Sequence, residues 1–157
     1  LHLSIRRQRQ MCIRDRVNPN HLIIEITEST AMHHIEASIR TLQRLREMGI
    51  RLAIDDFGTG HSSFLYLKNL PVDELKIDRG FIHELTVGSK DEMILESIVH
   101  LAIRLGLVVT AEGVESPLQM EILSRLGCQQ LQGYLLGMPM DVKRLEEFEY
   151  TSSTYFN

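Results

Sequence analysis

Two adjacent carboxylates, Asp55 and Asp56, follow an apolar run and precede the segment 57–60, Phe-Gly-Thr-Gly. The apolar run, residues 50–54, has the composition of a buried strand. Carboxylates side by side at the end of such a strand repel each other and lose hydration, so a divalent metal ion between them is a suitable partner. The alternative is a helix N-cap beside a solvated acid, because aspartate caps helices well.

Four other predicted strands carry a polar residue at a comparable position. The apolar runs are residues 22–27, 50–54, 74–78, 107–112 and 130–134. Strand alternation gives each run a second face with a polar side chain. These side chains are Glu25, Asp55, Lys76, Glu112 and Gln132. The gaps between them, 30, 21, 36 and 20 residues, suit a strand, a crossover helix and two loops. The pattern predicts that five strands direct polar groups to one place.

The segments between the strands have helical periodicity. Helices are predicted at residues 35–49, 91–105, 117–126 and 141–148, and glycines end the first three. Because strands and helices alternate, we predict an α/β fold with a parallel sheet. Barrels and open parallel sheets both place their chemistry at the carboxyl ends of the strands, so both architectures remain open at this point.

Five motifs resemble those of the EAL domain family, bacterial phosphodiesterases that linearise cyclic di-GMP. They lie at residues 25–29 (Glu-Ile-Thr-Glu-Ser), 55–63 (Asp-Asp-Phe-Gly-Thr-Gly-His-Ser-Ser), 70–78 (Leu-Pro-Val-Asp-Glu-Leu-Lys-Ile-Asp), 111–115 (Ala-Glu-Gly-Val-Glu) and 132–134 (Gln-Gly-Tyr). The resemblance covers roughly residues 18–148. It implies a modified (βα)8 barrel, of which this chain would hold an incomplete, TIM-like part with about five parallel strands and their crossover helices.

The resemblance also implies roles for individual residues. The implied metal ligands are Glu25, Asp55, Asp56, Glu112 and Glu115, and the implied catalytic residues are Lys76, Glu112 and Gln132. Lys76 would hold the attacking water, and Glu112 would serve as a metal-site carboxylate or a base. Glu28 is similar to the glutamate that anchors the loop at 55–63, which in the family couples dimerisation to activity. The implied partners are cyclic di-GMP and a second copy of the domain.

The residue types suit this chemistry independently of the resemblance. All the candidate ligands are hard oxygen donors, which favour Mg²⁺ or Mn²⁺ over zinc. Two such ions about 3.5–4 Å apart can activate a water and stabilise the charge of an in-line displacement. Bound cations would also reverse the acidic local charge that otherwise repels a phosphodiester. The sequence has no phosphate-binding glycine loop of the GxGxxG or Walker type.

Two features of the family are absent from the sequence: the Glu-Ala-Leu of its first strand and the asparagine of its next strand. A whole domain runs to roughly 240 residues, close to the ~250 typical of such barrels, whereas about 130 are present. We therefore predict that residues 17–150 are the C-terminal portion of the domain and are inactive alone. The alternative is a regulatory domain that binds cyclic di-GMP without turnover. A third candidate is an unrelated metal-dependent barrel hydrolase.

The first sixteen residues differ from the rest in charge. They contain five arginines and one acid, a local charge of +4, whereas the remainder carries −8. A basic arm can bind nucleic acid or an acidic membrane, but this one has neither interleaved aromatics nor an apolar span of ~18 residues. We expect residues 1–16 to be foreign to the domain, as a cloning remnant or a misassembled reading frame, and residues 151–157 to be a loosely ordered tail.

The location and partners follow from composition and from the resemblance. We predict a cytoplasmic domain that neither binds DNA nor spans a membrane. Its parent protein could still be membrane-anchored, with an upstream sensor or a diguanylate cyclase-like domain. Among single residues, Cys128 is expected to be a small core residue rather than a nucleophile. Asp78 either serves the site or caps the following turn, and Tyr134 either stacks on a guanine base or packs in the barrel.

Overall fold

A computed structural model describes residues 17–58 and 64–146. The predicted foreign segment at 1–16 and the predicted tail at 151–157 lie outside these described residues. So does the end of the last predicted helix, at residues 147 and 148. The loop segment 59–63, part of the family-like motif after the two aspartates, also lies outside them.

Five strands form one parallel sheet. They are β1 (Ile23–Thr27), β2 (Arg51–Phe57), β3 (Glu74–Ile77), β4 (Val108–Glu112) and β5 (Gln130–Gln132). The strands lie in the sheet in their chain order, and each adjacent pair is parallel. A doubly wound sheet reverses its order at a switch point, whereas a βα barrel keeps the sequential order. The predicted α/β fold with five parallel strands in barrel order is therefore confirmed.

Helices connect the strands. They are α1 (Glu28–His33), α2 (Ile35–Glu47), α3 (Phe64–Leu67), α4 (Lys90–Arg104), α5 (Pro117–Leu126) and α6 (Val142–Glu146). The four predicted helices correspond to α2, α4, α5 and α6. α5 shows why the prediction succeeds, because Ser116 and Gln119 form a capping box at its start and Gly127 ends it at a φ of 94°. α1 was not predicted, since six residues are too short for a periodic pattern to show.

The sheet has one apolar face and one polar face. The apolar face packs with the helices in the core and consists of Ile24, Ile26, Leu52, Ile54, Leu75, Ile77, Val109, Ala111 and Leu131. Alternation along the strands places the polar residues on the opposite face. That face is buried in the middle of the sheet, where Lys76 is only 7% exposed, and open at the outer strands, where Glu25 and Gln132 are exposed. Of the helices described, none is long and apolar enough to cross a membrane.

The predicted strand at 50–54 is longer in the structure. β2 continues through both aspartates to Phe57. Its pairing with β3 shifts register after Ile54, so that Asp55 and Asp56 together lie opposite one residue of β3, Lys76. Asp56 takes a φ of 55°, in the left-handed region. This is a β-bulge, a feature that interrupts regular alternation and changes the direction of side chains beside active sites.

Candidate active site

The Lys76 ammonium lies among carboxylates from three other strands. Its Nζ is 2.9 Å from Glu25 Oε1, 3.2 Å from Asp55 Oδ1 and 2.7 Å from Glu112 Oε1. These acids come from β1, β2 and β4, and the lysine comes from β3 between them. We call these four residues the Lys76 cluster. Three carboxylates and one ammonium give the cluster a formal charge of −2.

The charge of Lys76 is stabilised by its neighbours. Burial by itself lowers the pKa of this ammonium, but hydrogen bonds to Glu112 and Glu25 and the nearby Asp55 carboxylate outweigh it. The pKa of Lys76 therefore lies above its ordinary value, and the residue stays protonated in the neutral range. An ammonium that remains charged can donate hydrogen bonds to a water or a phosphate oxygen, but it cannot act as a base.

One carboxylate oxygen of the cluster is not satisfied by a hydrogen bond. Asp55 Oδ1 is buried, and within the described residues it has no hydrogen-bond partner of good geometry; its 3.2 Å approach to Lys76 Nζ is the longest of the three ion pairs. A buried carboxylate oxygen in this state is costly. The oxygen-only donor set, the net negative charge and this unsatisfied atom fit a hard divalent cation such as Mg²⁺ or Mn²⁺.

The remaining predicted site residues lie on β2, on β5 and in the loop after β4. Asp56 is half-buried at the bulge, directly after Asp55. Gln132 is exposed and pairs with Glu112 in the β4–β5 ladder. Glu115 is exposed in the loop after β4. In the described parts of the chain, no three acidic, histidine or cysteine side chains are arranged closely enough to hold a metal ion. The three clustered carboxylates surround an ammonium instead.

Glu28, the first residue of α1, contacts the start of the loop that follows β2. The residue is only 2% exposed, and its Oε2 accepts a hydrogen bond of 2.9 Å from the Gly58 amide. Gly58 has a φ of 99°, and a Cβ at this position would lie 2.2 Å from the ring of Phe81. The backbone just after the aspartates is therefore held between a carboxylate and an aromatic ring.

Gln119 supports the loop after β4, a contribution that the sequence analysis missed. Its Oε1 accepts hydrogen bonds from the amides of Glu115 and Ser116, and its Nε2 donates to the Ile82 carbonyl. Gln119 therefore connects the segment that follows β4 to the segment that follows β3. The signal in the sequence is the Ser-x-x-Gln spacing of a capping box.

The structure gives a contact for Asp78 and the exposure of Tyr134, two residues whose roles the sequence left open. Asp78 caps the turn after β3, because its Oδ1 accepts a 2.8 Å hydrogen bond from the Gly80 amide. Tyr134 is 62% exposed, so it does not pack in the interior of the described chain.

The fold and the cluster together describe a partial βα barrel with an acidic site at one end of its strands, and comparison with known proteins identifies its family. The EAL domain family model matches residues 4–139. The chain belongs to this family.

Three comparisons show what the chain is similar to. It is 54% identical over 137 residues to the bifunctional diguanylate cyclase/cyclic di-GMP phosphodiesterase MucR of Pseudomonas aeruginosa, covering 87% of this chain and 20% of that protein. A solved structure of the PaMucR phosphodiesterase in complex with c-di-GMP matches with a TM-score of 0.83 at 54% identity, covering 87% of this chain and 56% of that one. The manganese/c-di-GMP complex of Klebsiella pneumoniae BlrP1 matches with a TM-score of 0.76 at 31% identity, covering 81% and 32%. The chain thus spans about a fifth of its curated relative.

Proposed function

We propose that this chain is the C-terminal portion, residues 17–150, of a domain that hydrolyses cyclic di-GMP to the linear dinucleotide with Mg²⁺ or Mn²⁺. The observation that carries the proposal is the Lys76 cluster, in which acids from three strands approach one buried ammonium. Such a group at the carboxyl ends of barrel strands has the charge and the donors that phosphodiester hydrolysis needs.

The residues that would hold the metal ions are Glu25, Asp55, Asp56, Glu112 and Glu115. Bound divalent ions supply charge neutralisation at the phosphodiester and promote ionisation of the attacking water. Lys76 donates a hydrogen bond to that water and holds it in place. Glu112, 2.7 Å from the ammonium, accepts a hydrogen bond from the same water, and Gln132 on the neighbouring strand orients it from the side.

The relatives support the choice of substrate and metal. MucR is named as a cyclic di-GMP phosphodiesterase, and BlrP1 was solved with manganese and c-di-GMP. MucR is also bifunctional, which supports a parent protein with an upstream diguanylate cyclase-like or sensor domain. We place the domain in the cytoplasm as a homodimer, in which Glu28 fixes the loop at 55–63.

A non-catalytic receptor for cyclic di-GMP is the second candidate. One observation favours it for this chain alone: no three acids in the described residues form a ligand set. We attribute this to the part of the domain that this chain does not cover rather than to loss of the site. The chain alone is accordingly expected to show no turnover.

A chimaera distinguishes the two candidates. The preceding part of the MucR phosphodiesterase domain is joined to residues 17–157 of this chain, and formation of the linear dinucleotide is followed by chromatography with Mn²⁺ or Mg²⁺. Metal-dependent turnover supports the enzyme. Tight binding of cyclic di-GMP without turnover, in a chimaera whose circular dichroism shows a folded domain, would establish the receptor.

A further inference from the structure

We propose that the Lys76 ammonium is an internal counter-ion that occupies the cation position of the site until a divalent ion binds, so that lysine and metal compete for the same carboxylates. The inference rests on the proposed function, since it concerns the metal site of that reaction. It adds that the cluster itself limits metal binding, because the ion must displace the ammonium.

The carboxylates of the Lys76 cluster already face a cation. Nζ of Lys76 is within 2.7–3.2 Å of oxygens from Glu25, Asp55 and Glu112. The lysine side chain is 8% exposed, so water contributes little to solvating its charge. Without the ammonium, three carboxylates would face one another across the same space, and their mutual repulsion would separate them. Lys76 therefore holds the site together in the metal-free protein.

A divalent ion cannot join this arrangement without changing it. Mg²⁺ binds oxygen ligands at about 2.0–2.1 Å in near-octahedral geometry, shorter than any of the ammonium contacts. A carboxylate oxygen that moves to this distance directs a lone pair at the metal instead of at the lysine. The Asp55 oxygen makes the longest of the three contacts, 3.2 Å, so it turns to the metal at the least cost, whereas Glu25 and Glu112 lie closer to the ammonium. Metal binding thus releases Lys76 from at least one acid and leaves its protons free for a water.

The competition has a measurable consequence. Removing a positive charge a few ångströms from the metal position raises the affinity for a divalent cation by about tenfold or more, even with the screening of bulk water. Lys76→Met keeps most of the side-chain volume and removes the charge. Lys76→Arg keeps the charge. Lys68→Met makes the same change at an exposed lysine outside the cluster.

Mn²⁺ binding to the chimaera described above, which supplies the part of the domain that this chain does not cover, is measured by electron paramagnetic resonance of the free ion. We expect the Lys76→Met chimaera to bind Mn²⁺ at least about tenfold more tightly than the unaltered chimaera, and Lys76→Arg and Lys68→Met not to gain affinity. Equal or weaker binding by folded Lys76→Met would overturn the inference, as would absence of Mn²⁺ binding in both proteins. Turnover by the chimaera is a separate readout, so either result leaves the proposed function to be judged on its own.

A second measurement covers the case in which Lys76→Met does not fold. Lysine ammonium resonances of the unaltered chimaera are followed by ¹⁵N–¹H NMR during a Mg²⁺ titration, with binding monitored by calorimetry. The Lys76 signal should shift and saturate with Mg²⁺ while the Lys68 signal stays in place. Mg²⁺ binding that leaves the Lys76 signal unchanged would show that lysine and metal do not share the carboxylates.

Discussion

At the scale of single residues, the site depends on an ammonium that the sheet buries and three acids that compensate it. Burying an isolated charge costs several kcal/mol, and paired hydrogen-bonded partners offset that cost. Lys76 meets this condition through partners on both sides of β3. Lysine and arginine are not interchangeable here, because an ammonium is a compact charge with three donors, whereas the donors of a guanidinium are spread over one plane.

Cys128 is a second residue whose pKa the fold changes. Burial raises the pKa of Cys128 to about 12. In a Cys12→Ser background, which leaves one cysteine, we expect the folded chain at pH 8 to react with iodoacetamide roughly a hundredfold more slowly than the chain in denaturant, because the thiolate is the nucleophile. Mass spectrometry of the alkylated protein measures both rates. Equal rates would show that Cys128 titrates as an exposed thiol.

The same shift makes stability depend on pH in a defined direction. A folded pKa above the unfolded value of 9.0 means that the protonated thiol contributes stability that is fully present below pH 9. This contribution is lost as pH rises from 9 through about 12. Cys128→Ala should therefore show a smaller loss of unfolding free energy over this range than the unaltered chain does.

Glu28 tests how the loop after β2 is held. Glu28→Ala removes the acceptor of the Gly58 amide, so we expect faster hydrogen exchange at Gly58 and a loss of about 1–3 kcal/mol in the free energy of unfolding. Glu36→Ala, at an exposed position of α2, is the matched control and should change neither quantity. Unaltered exchange at Gly58 in Glu28→Ala would mean that Phe81 alone holds this backbone.

At the scale of elements, β5 is held close to the loop after β4. A Cβ on Gly133 would lie 2.1 Å from the carbonyl oxygen and 2.2 Å from the amide nitrogen of Val114. Val114 also donates a 3.0 Å hydrogen bond to the Gln132 carbonyl and accepts one from Leu135. The close approach fixes Gln132 beside the loop that carries Glu115.

Gly133→Ala is expected to lower the free energy of unfolding by about 3 kcal/mol, because backbone atoms cannot move aside for the new methyl group. Urea denaturation measures the loss. The control is Gly106→Ala, where the space is open and only a φ of 79° opposes the substitution, at a cost of about 1–2 kcal/mol. If Gly133→Ala costs no more than the control, the close contact does not hold β5 in place.

The sequence predicted the strands and helices better than it predicted the contacts between them. Alternation identifies all five strands, and the polar position of each strand correctly anticipates that Glu25, Asp55 and Glu112 share a face with Lys76. The bulge at Asp55 and Asp56 was not predicted, since pairing register depends on contacts with β3 that a local pattern does not contain. Gln119 was missed because one of its partners, the Ile82 carbonyl, is 37 residues away in the sequence, and only the local spacing with Ser116 is visible.

At the scale of the whole molecule, the described sheet has two edges. β1 and β5 each pair on one side only among the described strands, and Ile23 on β1 is 45% exposed. A closed barrel has no edge strands. The chain covers 56% of the solved MucR phosphodiesterase chain, and the chimaera supplies the rest of that domain for the test of the proposed turnover.

The most direct test of the account is turnover of cyclic di-GMP by the chimaera with and without an intact Lys76 cluster. Glu112→Gln and Lys76→Ala are compared with Glu84→Gln, an exposed control outside the cluster, at saturating Mn²⁺. We expect kcat to fall by at least about a hundredfold in the two cluster variants, the scale of a lost proton-transfer or orienting group, and to stay unchanged in the control. Full kcat in folded Glu112→Gln and Lys76→Ala would contradict the assignment of the active site.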